Sequence, residues 1–223
     1  MNILKKIYPF LYSFFSHSDE KGEYSSGYWQ GLTRKKITEI CSGRSGRILE
    51  IGLGAGMLLS KLASQNPQRL VYGIDTNIDF CNYVADKSRN LRLENMRILT
   101  QDAYKLAFKD GVFETVICVN FIYNIATLKE LKRLLEELGR VCKRSGSLIF
   151  EFRNARNPFF VLKYKFAACY DSTLKGLTLR CHKLEEIEQL LKEVGLAVAR
   201  KETLGLPFLK MFAPIIIIEA KKS

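Results

Sequence analysis

Apolar residues recur along this chain with two periods, and the two alternate in a regular order. From Arg47 onward, short runs rich in Ile, Leu and Val are each followed by a stretch in which apolar residues return every three or four positions. The first kind reads as buried strand and the second as amphipathic helix. Strands are predicted over Arg47–Ile51, Leu70–Ile74, Met96–Thr100, Thr115–Val119 and Ser147–Phe152. Helices are predicted over Gly56–Ser64 and Ile78–Lys87, along the stripe Leu128, Leu131, Leu134, Leu135, Leu138, Val141, and over Leu184–Val194. Thr127 and Glu130 have the spacing of a capping box before the third of these helices. Two strands close the chain, Leu196–Thr203 and Met211–Ala220.

Repeated strand–helix units require a parallel sheet covered by helices on both faces. The ending breaks that rule. Only the short stretch Leu204–Lys210 separates the last two strands, too little for a parallel crossover. The last strand must run antiparallel to its predecessor. The expected fold is therefore α/β, a doubly wound, seven-stranded, mostly parallel sheet with an antiparallel last strand.

The first 45 residues have a different pattern. Ile3, Leu4, Ile7, Tyr8, Leu11, Phe14 and Phe15 fall at helical spacing around Pro9, and a second amphipathic stretch spans Leu32–Cys41. Between them lies a polar, Gly/Ser-rich run carrying Tyr24, Tyr28 and Trp29. Residues 1–45 are expected to form a helical lid, and 46–223 the main domain with an insertion at about 153–183.

Composition narrows the class. With 223 residues and 47% hydrophobic content the chain can bury a full core, which excludes a disordered or low-complexity protein. Lys and Arg exceed Asp and Glu by 35 to 23, a net charge of +12 that favours anionic partners. Half of that excess sits in the insertion, where seven basic residues face Asp171 alone and Phe159, Phe160, Tyr164, Phe166 and Tyr170 interleave with them. The cysteines at 41, 81, 118, 142, 169 and 181 form no CxxC pair and no zinc spacing, so free thiols and no metal are expected. The amino-terminal stretch lacks a small-x-small cleavage site and is too short to span a bilayer.

The chemistry is concentrated in Arg47–Gly56, RILEIGLGAG, where a buried strand ends in a glycine turn that opens a helix. Glycines there allow a sharp turn and close approach of a ligand to the main chain. The dinucleotide pattern G-x-G-x-x-G would require glycine where Met57 stands. The spacing is G-x-G-x-G, with Glu50 two positions ahead, an acid suited to a cationic group.

This run resembles the (E/D)-x-G-x-G-x-G motif of class I S-adenosylmethionine-dependent methyltransferases, and the reversed last strand is the rule in that family. The resemblance implies an enzyme, a methyltransferase with S-adenosylmethionine as cofactor, and it extends over roughly residues 45–220. It implies that Glu50, Gly52, Gly54 and Gly56 form the cofactor turn. It further implies that Asp75, followed by Thr76, accepts the ribose hydroxyls, that Asp102 and Ala103 meet the adenine, and that Asn120 meets the methionine moiety. The run Leu134–Leu148 also resembles the family's L-x-E-x-x-R-V-L-K-P-G-G-x-L, with Arg144-Ser145-Gly146 replacing its Pro-Gly-Gly turn. Asn120-Phe121-Ile122-Tyr123 stands where adenine amino-methyltransferases carry N-P-P-Y. Both prolines are missing, so pocket lining is expected instead of base flipping.

Substrate contacts are expected from Tyr28, Trp29 and Tyr123. No catalytic residue is assigned. His17 and His182 could each serve as a general base, though surface or capping roles suit them better. The expected acceptor is a small molecule or lipid-like compound, taken by a cytoplasmic enzyme with possible peripheral membrane contact. An RNA-directed enzyme or a non-catalytic cofactor-binding module on the same fold is the alternative; nucleic acid is the less expected partner.

Overall fold

The computed structural model describes residues 28–165, 179–205 and 207–223. Its elements run in the order α1 (Tyr28–Cys41), β1 (Ile48–Ile51), α2 (Met57–Gln65), β2 (Val71–Asp75), α3 (Ile78–Asn90), β3 (Met96–Thr100) and β4 (Phe113–Cys118). They continue with α4 (Leu128–Val141), β5 (Cys142–Arg153), α5 (Pro158–Lys165), α6 (Leu184–Glu193), β6 (Leu196–Leu204) and β7 (Ile215–Lys222).

The seven strands form one sheet in the order β3-β2-β1-β4-β5-β7-β6. The pairs among β1 to β5 are parallel, and β7 is antiparallel to both β5 and β6. The order reverses between β1 and β4, and a doubly wound sheet opens its ligand crevice at the strand ends beside such a reversal.

Successive strand residues feed opposite faces, as the period of two requires. In β7, Ile216 and Ile218 join the layer under α4 and α6, with Leu131, Leu134, Leu138 and Ile187. Ile215 and Ile217 join the other layer, with Ile37 of α1, Leu58 and Leu62 of α2, and Val84 of α3. Helix α4 starts on the expected capping box, with Thr127 Oγ1 accepting from the Glu130 N–H at 3.1 Å.

Three boundaries depart from the sequence reading. β7 begins at Ile215 because Pro207–Phe212 folds as a 3-10 turn and Pro214, with no N–H, precedes the ladder. β5 starts at Cys142, directly at the end of α4, and is longer than expected. The segment expected as a lid divides: in α1, Ile37 and Cys41 are fully buried in the core, while residues 1–27 lie outside the described residues, with His17 and Tyr24. Of the insertion, α5 and 179–183 are described; Cys169 and Asp171 are not. Cys41, Cys81, Cys118, Cys142 and Cys181 are free thiols.

Candidate active site

The glycine turn sits at the carboxyl end of β1. Gly52, Gly54 and Gly56 have φ of 71°, 48° and 67°, a region that L side chains rarely enter. A Cβ at Gly52 would stand 2.6 Å from the Phe121 ring, and one at Gly56 would stand 2.6 Å from Val84. The turn therefore needs glycine for conformation and for space. It is held by Gly52 and Leu53 N–H groups donating to the Ile74 carbonyl, at 2.9 and 3.1 Å.

Asp75, at the end of β2, faces this turn. Its Oδ2 accepts from the Gly54 N–H at 3.2 Å, and its Oδ1 accepts from the Asn77 N–H at 3.0 Å. Each oxygen retains acceptor capacity for a ligand hydroxyl.

A cavity of about 230 Å³ opens above the turn. Glu50, Gly52, Gly54, Asp75, Asn120 and Tyr123 all line it. Glu50 is buried, and among the described residues its Oε2 has no hydrogen-bond partner. Burial pushes its carboxyl up to about 8, and Asp75 adds to this, while the Arg34 charge and the Leu59 main chain oppose it. A buried carboxylate with an unmet acceptor is a ready site for a cation. Arg34, also buried and lining the cavity, brings a positive charge to the same end. The donor set fits S-adenosylmethionine: Glu50 for the ammonium, Arg34 for the carboxylate, the glycine turn for close approach and Asp75 for the ribose.

A second group of residues braces the β4 side of the cavity. Asn120 has φ of 55°, unusual for a side-chain-bearing residue. Its N–H donates to Glu151 Oε1 at 2.9 Å, and its Oδ1 accepts from Arg153 Nη2 at 3.1 Å. Arg153 Nη1 donates to Glu151 Oε2 at 2.6 Å, with both side chains buried in β5. Arg153 Nε donates to the Tyr164 hydroxyl oxygen at 3.1 Å, and its guanidinium lies 4.9 Å from the Tyr123 ring centre and 5.6 Å from that of Phe160. Although burial opposes it, the Glu151 carboxylate keeps Arg153 charged. Burial pushes the Tyr164 hydroxyl up, so it remains protonated with its own proton to donate.

Aromatic contacts continue outward. Tyr123 meets Tyr164 at 6.0 Å, Tyr164 meets Phe160 at 5.7 Å, and Phe160 meets Trp29 at 6.0 Å. Tyr28 packs edge-on against Trp29 at 5.0 Å. Tyr123 thus lines the cavity, whereas Tyr28 and Trp29 are joined to it through α5.

Other expected residues lie apart. Gly56 shapes the turn from beneath. Thr76, Asp102 and Ala103 do not line the cavity. Asp102 Oδ1 accepts the Tyr104 N–H at 2.9 Å in the turn after β3, and Ala103 is buried in the core. His182 is neither at the surface nor a cap. It is buried against Phe152, with neither ring nitrogen partnered among the described residues, and burial lowers it to about 4. It does not line the cavity and stays neutral. Among the described residues no group of three acidic, Cys or His side chains could hold a metal.

Sequence reasoning missed Arg34 and Glu151, and it counted Arg153 only among the basic residues of the insertion, where the structure buries it against Glu151. A signal existed for each. Arg34 occupies one slot of the stripe Arg34, Ile37, Thr38, Cys41, and Glu151 and Arg153 interrupt an apolar strand two residues apart, on one face.

Comparison with known proteins addresses the fold and the family. Residues 48–146 match the family model described as "Methyltransferase domain", which spans the glycine turn, Asp75 and Asn120. The phosphatidylethanolamine N-methyltransferase of Cereibacter sphaeroides is 27% identical over 155 residues, covering 68% of this chain and 73% of that protein. A tRNA (guanine-N(7)-)-methyltransferase of Streptococcus pneumoniae (strain Hungary19A-6) is 27% identical over 169 residues, 69% of this chain and 79% of that protein. In fold, the chain is similar to magnesium protoporphyrin IX methyltransferase from Synechocystis PCC 6803, solved with bound SAH. The TM-score is 0.69 at 21% identity, covering 97% of this chain and 100% of that one.

Proposed function

Because the chain belongs to the class I S-adenosylmethionine-dependent methyltransferases, we propose that it methylates a small amphiphilic acceptor held between Asn120, Tyr123 and Tyr164. When bound, the cofactor would supply a methyl group on a sulfonium, which passes in line to the acceptor atom as the S–CH3 bond breaks and the neutral thioether departs. The protein's part is to position and to exclude water. Glu50 and Arg34 would anchor the amino-acid end, and Asp75 the ribose. The Glu151–Arg153 pair holds Asn120 in its left-handed conformation at the opposite wall. Orientation of this kind lowers barriers by several kcal/mol without a nucleophile or a triad.

The observation that carries the acceptor reading is the braced aromatic wall. Tyr123 and Tyr164 are fixed around a buried, charged guanidinium paired with Glu151, and the Tyr164 hydroxyl has a proton to give to a polar acceptor. The relative from Cereibacter sphaeroides, whose name gives phosphatidylethanolamine as substrate, supports an acceptor that is part polar and part apolar. The tRNA-directed relative supports a second reading, methylation of RNA.

One experiment separates the two. The protein is incubated with methyl-labelled cofactor and, in separate reactions, a lipid extract, a polar metabolite extract and bulk tRNA. Label entering lipid or small molecules is the expected result. Label entering tRNA alone would overturn the reading in favour of RNA. The Tyr164→Phe variant should keep cofactor affinity and lose turnover.

A further inference from the structure

Helix α5 has two working faces. Phe160 and Tyr164, four residues apart, turn inward onto Arg153. Phe159 and Leu162, three apart, turn outward and are 62% and 60% exposed. The 3-10 turn Pro207–Phe212 lies against the start of this helix, because Asn157 Nδ2 donates to the Phe212 carbonyl at 2.6 Å and Asn154 Nδ2 to that of Met211 at 2.9 Å. Met211 and Phe212 are themselves 55% and 42% exposed. Four large apolar side chains from two adjoining elements therefore face solvent beside the site. Exposed apolar surface of this kind marks an interaction surface.

The same edge is cationic. A cleft of about 620 Å³ runs beside Met211, lined by Arg156, Lys201 and Lys210. Arg156 is paired with Glu185, while Lys201 and Lys210 make no ion pair among the described residues. Glu202, the other acid of the cleft, is taken by Arg200 and Lys36.

We infer that α5, the Pro207–Phe212 turn and this cleft form a docking surface for a lipid bilayer carrying anionic headgroups. A bilayer offers both halves of the required partner, an apolar layer for Phe159, Leu162, Met211 and Phe212 and phosphates for Lys201 and Lys210. A second copy of the chain would bring the same cations face to face within a protein of net charge +12. The placement also has a functional consequence. The outward face of α5 would meet the bilayer while its inward face closes the acceptor wall, so an amphiphile could pass between the two. This inference rests on the amphiphilic-acceptor reading, but docking needs no turnover, so the two can fail separately.

The test is cosedimentation of the full chain with vesicles of phosphatidylcholine alone and of phosphatidylcholine with phosphatidylglycerol. Wild type should sediment with the second and not the first, and less as salt is raised. Each cation near an anionic leaflet contributes about fivefold to partitioning. Lys201→Ala/Lys210→Ala should therefore weaken it by about 25-fold. Phe159→Ser/Leu162→Ser should abolish sedimentation. Unchanged circular dichroism and SAH affinity establish that both variants are folded. The proposal fails if wild type binds neither vesicle, or if both folded variants sediment like wild type, which would place docking elsewhere on the chain. It also fails if the Ser variant instead converts a dimer to a monomer on gel filtration without changing sedimentation.

Discussion

Replacing Arg153 by Met tests how the acceptor wall is held. The substitution keeps bulk but removes the guanidinium that donates to Glu151 at 2.6 Å and to Asn120 Oδ1 at 3.1 Å. Glu151 is fully buried and would be left without its counter-charge. Breaking a buried pair from one side costs about 3–5 kcal/mol, because an uncompensated charge remains. For a domain of this size that corresponds to a fall in Tm of roughly 6–20 °C. Part of the cost is avoided by protonating Glu151. Its carboxyl, already pushed up by burial despite Arg153, would rise further without it. A raised carboxyl favours the fold at low pH and loses that advantage as pH climbs through its folded value, so the defect should be smaller at pH ~5 than at pH ~8. Urea denaturation of Arg153→Met, Glu151→Met and the double variant measures these terms. The double variant should be more stable than either single one, since it buries no charge. Its cofactor affinity should nonetheless stay low, because Asn120 has lost both of the bonds that hold it at positive φ. An Arg153→Met protein within about 1 kcal/mol of wild type at pH 8, with unchanged affinity, would refute the reasoning.

Four further outcomes follow from the cavity. Gly52→Ala puts a Cβ 2.6 Å from Phe121 at positive φ, so it should cost roughly 1–3 kcal/mol of stability and lower SAH affinity, read by denaturation and calorimetry. Asp75→Ala should weaken cofactor binding by about 2–4 kcal/mol, through loss of two charge-assisted bonds; unchanged affinity would remove Asp75 from the ribose site. Glu50 is raised to about 8, so the free protein should lose stability as pH rises from about 4.5 to 8, by up to ~1.4 kcal/mol per unit, and Glu50→Gln should abolish that slope. A cationic ligand group favours the ionised carboxylate, so cofactor binding at pH ~7 should release a proton in wild type and none in Glu50→Gln, as calorimetry in buffers of different ionisation enthalpy would show.

Much of this protein is written locally in its chain. Strand and helix periods, the capping box at Thr127 and the too-short link before the last strand all depend on neighbours in sequence, and they lead to the mostly parallel sheet and its antiparallel last strand. The glycine turn was legible for the same reason, since only glycine tolerates its positive φ at that packing. Other features are settled by contacts between distant residues. Whether Arg34 is a surface charge or a cavity residue depends on how α1 packs against α2. Whether Glu151 and Arg153 are a cost or a brace depends on Asn120 and Tyr164, which lie 31 and 11 residues away from their respective partners. His182 was ambiguous as a letter; burial against Phe152 makes it a neutral core residue. Periodicity reports which face of an element is apolar. The meaning of a charge on that face is decided only when folding brings its partner, or none, within hydrogen-bond reach.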